Sequence, residues 1–294
     1  MMALRGVWQY DEPLARYTTW RVGGPARRLY RPADLDDAAA CIRQLSPDEP
    51  VLWLGLGSNV LIDDAGFPGT VILTAGALNG LARRGETRLY AEVGVPSARL
   101  ARLAAHQDLR GIEFLAGIPG TLGGALAMNA GAWGSETWSF VDRVWTLDRW
   151  GQIRERLATD YRPGYRQVQG PDGEWFLAAE LVLTLGDGAA GLAQIRELLA
   201  RRAATQPVGQ PSCGSVFRNP PGDYAARLID AAGLKGLRIG GAEVSEKHAN
   251  FIINRGGARA SDIRRLIDLV QETVERRTGV RLVPEVRALF GEMQ

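Results

Sequence analysis

Residues 117–131 read Gly-Ile-Pro-Gly-Thr-Leu-Gly-Gly-Ala-Leu-Ala-Met-Asn-Ala-Gly, with five glycines in fifteen positions and no charge. Glycine loses more conformational freedom on folding than any other residue, so ordering such a run needs a reason. A flexible linker would carry Ser, Lys or Glu. This stretch instead reads as backbone packed where side chains do not fit. Two explanations are open: a buried turn between strands, or a cradle whose N–H groups meet the phosphates or ring face of a ligand.

The bulk numbers narrow the field. A chain of 294 residues fits two domains, and 46% hydrophobic with 23% charged residues is a globular composition. Lys and Arg total 35 against 33 Asp and Glu, a formal charge of +2. No strong field draws in nucleic acid or an anionic membrane, so neither is expected as a partner. The two cysteines, Cys41 and Cys213, and the two histidines, His106 and His248, offer no metal-ligand spacing and no disulfide framework. That pattern predicts a reducing compartment. The first fourteen residues hold acids and a proline, without an apolar signal core, and the apolar stretch Leu177–Leu185 is strand length and contains Glu180. A cytoplasmic protein without a membrane span is expected.

Residues 20–188 alternate short β-rich runs with few helices. Strands are predicted at Val51–Leu54, Thr70–Thr74, Leu89–Val93, Val141–Leu147 and Phe176–Leu185. Helices are predicted at Leu35–Leu45 after Asp34, and at Ser97–Gln107 after Pro96. Strands outnumber helices, which argues for an α+β fold. After Gly186-Asp-Gly188 the pattern turns helical: Leu192–Arg202, then Asp223–Ala232 with an acidic cap and Gly233 behind it, then Ser261–Thr278. In the last, Ser261 is the candidate cap, Ile263, Leu266, Ile267, Val270 and Val274 form one face, and Gly279 ends it. Short strands are predicted at Val216–Arg218 and Asn250–Asn254. The expected domains are 1–188 and 189–294.

Several polar motifs stand out. Gly55-Leu-Gly-Ser-Asn59 follows a strand but lacks the third glycine and the long helix of a Rossmann unit, because Val60 and a Gly/Pro-bearing continuation stand there. A strand–turn–strand with Ser58 and Asn59 can still cradle a pyrophosphate. Arg21-Val-Gly-Gly-Pro25 fits a tight turn as well as cofactor contact. Pro211-Ser-Cys-Gly-Ser-Val-Phe-Arg-Asn-Pro220 packs hydroxyls, a thiol, Arg218 and Asn219 between prolines, a stiff polar turn able to aim a hydroxyl. Cys213 has no His or Lys near it in sequence and reads as a bystander. Glu285, after Pro284, and the pairs Tyr161-Arg162 and Tyr165-Arg166 are further polar candidates, each open to a purely structural reading.

These blocks occur together, in order, in one family. Trp20-Arg-Val-Gly-Gly-Pro-Ala26, Leu54–Asn59, Gly111–Gly124, Met128-Asn-Ala-Gly-Ala132, Gln210–Pro221, Ala232-Gly-Leu-Lys-Gly236 and Val244-Ser-Glu-Lys-His-Ala-Asn-Phe251 resemble the UDP-N-acetylenolpyruvoylglucosamine reductases. The likeness runs from about residue 16 to 290, with the spacing of the shorter subtype that lacks a tyrosine-bearing insertion. The resemblance implies a two-lobed FAD-binding domain of the vanillyl-alcohol-oxidase type, then a smaller α+β substrate domain, with a final strand Val286–Phe290 returning to the N-terminal lobe. It implies noncovalent FAD, NADPH as reductant and a UDP-sugar enolpyruvyl ether as substrate. Hydride goes from flavin N5 to C3 of the enolpyruvyl group and a proton goes to C2, giving UDP-N-acetylmuramate for peptidoglycan. A monomer is expected.

Carried over residue by residue, the resemblance gives Arg166 and Glu285 as stabilisers of the charge that develops on C2 and its carboxylate, and Ser215 as the proton donor. To donate a hydrogen bond there, Glu285 has to carry a proton. Gly55, Gly57, Ser58, Asn59, Pro119, Gly120, Thr121, Gly123, Gly124, Asn129, Ala130 and Gly131 are the implied flavin contacts. Tyr165, Arg202 and Asn219 are the implied substrate contacts. Where family members carry serine after their Tyr-Arg and one more residue, this chain has Val168. Tyr165-Arg166 is preferred over Tyr161-Arg162 because Gly164 precedes it, whereas Pro163 fixes Arg162 as extended. His248 reads as structural.

Overall fold

The computed structural model describes residues 3–290. The chain forms two compact units, neither continuous in sequence. The first takes the residues up to Tyr10, Arg28–Leu56 and Gly69–Arg201; the second takes Asp11–Arg27, Gly57–Pro68 and the residues from Arg202 on. The boundary expected after residue 188 falls at the start of a long helix instead.

In the first unit, α1 (Leu35–Gln44) starts where expected, with Asp34 accepting from the Asp37 amide and two acids in the first turn. Next come α2 (Ser97–His106), straight after Pro96, the short α3 (Leu122–Ala127) inside the glycine run, and α4 (Gly188–Thr205). Predicted strands appear at Val51–Leu54, Phe67–Leu73, Arg88–Glu92, Val141–Asp148 and Glu174–Val182. The last three belong to a five-stranded antiparallel sheet in the order Ile153–Leu157, Val141–Asp148, Glu174–Val182, Arg88–Glu92, Leu81–Arg84. A second sheet orders Val7–Pro13, Pro25–Arg31, Phe67–Leu73 and Val51–Leu54, the last two parallel. Leu89, Ala91, Leu100, Leu115, Leu126 and Leu177 are among the buried residues of one core that joins the five-stranded sheet to α2 and α3.

The second unit has its own core, including Trp20, Leu61, Phe217, Leu228, Leu266 and Val270. It holds α5 (Ala225–Ala231), α6 (Ala260–Thr278) and a three-stranded antiparallel sheet of Arg238–Ile239, Ala242–Val244 and Ile252–Asn254. All five predicted face residues of α6 are buried, and Gly279 ends it in the left-handed region at φ +74°. Its start departs from expectation. Ser261 is not the cap; the Asp64 carboxylate accepts from the amides of Ala260 (2.7 Å) and Ser261 (3.2 Å). The acidic cap expected for the helix after Asp223 is also replaced. The Asn219 side-chain oxygen accepts from the Ala225 amide at 3.1 Å, while Asp223 pairs with Arg227. The last strand, Arg287–Leu289, pairs in parallel with Val60–Ile62, an early segment of the chain that belongs to this same unit. No helix among the described residues is long and apolar enough to cross a membrane.

Candidate active site

The glycine run of the first unit is folded, not slack. Pro96 and Thr121 form an isolated bridge, and the amides of Leu122 and Gly123 donate to the carbonyls of Val95 and Val93, at 2.9 and 3.0 Å. Two glycine motifs meet here: a Cβ on Gly55 would overlap the Thr121 hydroxyl, so close approach requires glycine. By contrast a Cβ on Gly124 would meet nothing within 4 Å. Within this uncharged turn, Gly124 therefore leaves the main chain open on one side, as a cradle for a flavin dinucleotide requires.

The same run continues into a rigid platform. Ala130 accepts at its carbonyl from the amide (3.0 Å) and hydroxyl (2.7 Å) of Thr137, and Gly131 pairs with Glu136. The Asn129 side chain is buried and engaged by protein groups. It donates to Glu136 (2.8 Å) and to the Gly164 carbonyl (3.2 Å), and it accepts from the Trp138 amide (3.1 Å). Gly164 closes the first strand of a hairpin, Arg162–Gly164 against Gln167–Gln169, whose two-residue tip is Tyr165-Arg166. Arg166 has φ +57° and donates from Nη2 to the Gly131 carbonyl at 2.8 Å. Its guanidinium also lies 5.1 Å from the ring of Tyr165, a residue that is 47% exposed.

The other Tyr-Arg pair is differently placed. Tyr161 is buried against Trp138 and Phe176, at centroid distances of 4.7 and 5.6 Å, and burial pushes its hydroxyl up to about 12. Arg162 is exposed on the strand. Val168, the departure from the family pattern, pairs with Pro163 in the hairpin and packs on the main core, so an apolar side chain suits that place.

In the second unit, Ser215 and Glu285 come from segments joined by main-chain bonds. The Val216 carbonyl accepts from the Glu285 amide at 2.7 Å, Arg218 donates its amide to Val283 at 2.9 Å, and Phe217 bridges Pro284. Only that bridge forms where a strand was predicted at Val216–Arg218. Asn250 clamps the other side: its Oδ1 accepts from the Phe217 amide (2.9 Å) and its Nδ2 donates to the Phe217 carbonyl (2.8 Å). Asn250 lies 33 residues from Phe217 in the chain, so no local motif marks this clamp. Asn59 reaches the same place, donating to the Glu285 carbonyl at 3.2 Å while its own carbonyl accepts from the Arg287 amide at 3.1 Å. Gly57 has φ +58°, and a Cβ there would overlap the Tyr17 carbonyl, so this turn admits no other residue without rearrangement.

Cys213 is buried. Desolvation, then the Glu285 carboxyl, push its thiol well above the ordinary range, which fits a bystander rather than a nucleophile. Burial pulls the Arg202 guanidinium down, and its Nε donates to Gln206 at 2.9 Å. The side-chain oxygen of Asn219 is engaged as the cap of α5. Burial holds the His248 imidazole below its ordinary range; the ring lies edge-on to Phe251, and its Nδ1 has no hydrogen-bond partner among the described residues.

Comparison with known proteins agrees with both halves. Residues 26–155 match the FAD binding domain family, and residues 206–289 match the C-terminal domain of UDP-N-acetylenolpyruvoylglucosamine reductase. The UDP-N-acetylenolpyruvoylglucosamine reductase of Methylococcus capsulatus is 60% identical over 99% of this chain and 95% of its own length. That of Alkalilimnicola ehrlichii is 61% identical over 98% and 96%. The crystal structure of the Thermus caldophilus reductase superposes with a TM-score of 0.81 at 33% identity, over 97% of this chain and 99% of that one. With an FAD-binding segment, a reductase C-terminal segment and full-length relatives all in agreement, the chain belongs to the UDP-N-acetylenolpyruvoylglucosamine reductase family.

Proposed function

We propose that this chain uses NADPH to reduce the enolpyruvyl group of UDP-N-acetylenolpyruvoylglucosamine, giving UDP-N-acetylmuramate for peptidoglycan, with Ser215, Arg166 and Glu285 as the catalytic residues. When bound, FAD supplies the hydride chemistry, taking hydride from NADPH and delivering it from N5 to the substrate's C3. The residues that would hold it are Gly55 and Pro119–Gly124, with Ala130 and Gly131, and the turn Gly57-Ser58-Asn59. Asn129 serves there through the protein groups it binds.

Hydride addition leaves negative charge on C2 and the adjacent carboxylate. Arg166 presents a guanidinium suited to a carboxylate, with one nitrogen already fixed on Gly131. Glu285, carrying a proton, donates a second hydrogen bond to the same charge. Fixed donors of this kind are each worth about 10²–10³ in rate. Ser215 gives its proton to C2; a hydroxyl is a weak acid, so position decides whether it can serve. The observation that carries this assignment is the bonding that fixes Ser215's neighbour Val216 directly to the Glu285 amide. Tyr165, Arg202 and Asn219 contact the sugar nucleotide. Residues 1–188 serve chiefly the flavin and 189–294 the substrate, and the matched segments 26–155 and 206–289 lie on either side of that division. The enzyme acts as a monomer in the cytoplasm, where NADPH and UDP-sugars are available.

Stopped-flow measurement of the two half-reactions tests the proton donor. Ser215→Ala is expected to slow substrate-driven reoxidation of the flavin by about 10²–10⁴ while NADPH-driven reduction stays close to wild type. Equal slowing of both phases would remove Ser215 from that role.

A further inference from the structure

We infer that Asn129 is a positioning residue for the reaction, fixing the Tyr165-Arg166 tip on the glycine platform; the inference rests on Arg166 acting on the substrate carboxylate. Arg166 has φ +57°, a left-handed backbone that a long L side chain takes only where its surroundings enforce it. Two ties enforce it, each reaching back 35 residues. Asn129 Nδ2 donates to the carbonyl of Gly164, at the base of the tip, at 3.2 Å, and Arg166 Nη2 donates to Gly131 at 2.8 Å.

The platform at the other end is stiff. Thr137 bonds twice to the Ala130 carbonyl, and the Trp138 indole donates to Leu126 at 2.8 Å. Asparagine suits the position in two ways. Its own φ is +41°, a region that Asn tolerates better than most residues. Its amide also matches the polarity of all its neighbours: both Nδ2 hydrogens are taken by oxygens of Glu136 and Gly164, and Oδ1 receives the Trp138 amide. Aspartate, equal in shape, would turn an acceptor towards the Glu136 carboxylate and the Gly164 carbonyl at once. Asn129 is 1% exposed, and its side chain acts through these protein groups.

Three variants of the flavin-loaded enzyme test this. Asn129→Gly keeps the left-handed backbone and removes the amide; substrate-driven reoxidation is expected to slow about 10–100-fold more than NADPH-driven reduction, since displacement of a reacting group by about 1 Å costs about 10²-fold. Asn129→Asp is expected to be slower still. In an Arg166→Ala background, Asn129→Gly is expected to add less than about 3-fold, because the group it positions is gone. Trypsin supplies a readout independent of turnover: cleavage after Arg166 should accelerate in Asn129→Gly relative to cleavage after Arg201, which lies outside the tie. If Asn129→Asp matches wild type, if the loss in Asn129→Gly persists in full without Arg166, or if cleavage after Arg166 is unchanged, Asn129 does not position the tip. If Arg166→Ala itself leaves reoxidation at the wild-type rate, the assignment of Arg166 fails and the inference falls with it.

Discussion

Single residues show where the sequence speaks and where it is silent. Gly57 was legible, because a glycine between a strand and Ser-Asn points to a turn, and its φ of +58° with the Tyr17 carbonyl beside it gives the reason. Gly57→Ala is expected to cost at least about 1–2 kcal/mol for the left-handed backbone, before the collision. A melting temperature several degrees lower and loss of flavin on gel filtration would register it; an unchanged melt would refute it. Asn129 was legible only as part of a glycine motif. Its partners Glu136, Gly164 and Trp138 come from three places in the chain, and no local pattern announces them. Tyr161 illustrates the converse: its hydroxyl is buried in an aromatic cluster, with no hydrogen-bond partner among the described residues. Removing an unsatisfied hydroxyl while keeping the ring should be neutral or stabilising by up to about 1 kcal/mol. Tyr161→Phe therefore should melt at or above the wild-type temperature, and a lower melt would mean that the hydroxyl has a structural role.

At the scale of elements, α6 was readable from its apolar stripe and terminal glycine, because both signals lie within the helix. Its N-terminal cap was not, since Asp64 lies 196 residues from Ala260. Burial alone would raise the Asp64 carboxyl, but bonds from the Ser261 hydroxyl and from the Ala260 and Ser261 amides outweigh it and hold the group below the ordinary carboxylate range. A depressed folded-state value stabilises the protein above the unfolded-state value, near pH 4, and that contribution fades as the pH falls through the folded-state value. Asp64→Ala should cost about 1 kcal/mol at neutral pH, and its stability gap from wild type should narrow below about pH 4. Urea titrations at pH 7 and pH 3 measure both gaps; equal gaps would contradict the account. The β-branched and aromatic residues of Val216–Arg218 favour a strand. The segment makes a single bridge to Pro284 instead, since proline lacks the N–H that a continued ladder needs.

At the scale of the molecule, the fold class was legible because strand runs outnumber helices before residue 188 and helices dominate after it. The discontinuity of the two compact units was not. Asp11–Arg27 and Gly57–Pro68 carry no compositional mark that sets them with the residues from Arg202 on; their membership follows from long-range contacts such as the parallel pairing of Val60–Ile62 with Arg287–Leu289. The candidate site was readable in its parts, as blocks of motif, while the bonds that hold Val216 to Glu285 and Arg166 to Gly131 appear only in three dimensions. The central claim is that one chain couples NADPH oxidation to reduction of an enolpyruvyl sugar nucleotide through a bound flavin. An anaerobic spectrum of the purified yellow protein tests it most directly. One equivalent of NADPH should bleach the flavin band, and one equivalent of UDP-N-acetylenolpyruvoylglucosamine should then restore it with UDP-N-acetylmuramate formed in equal amount. A bleached protein that recovers its colour with oxygen but not with that substrate would contradict the account.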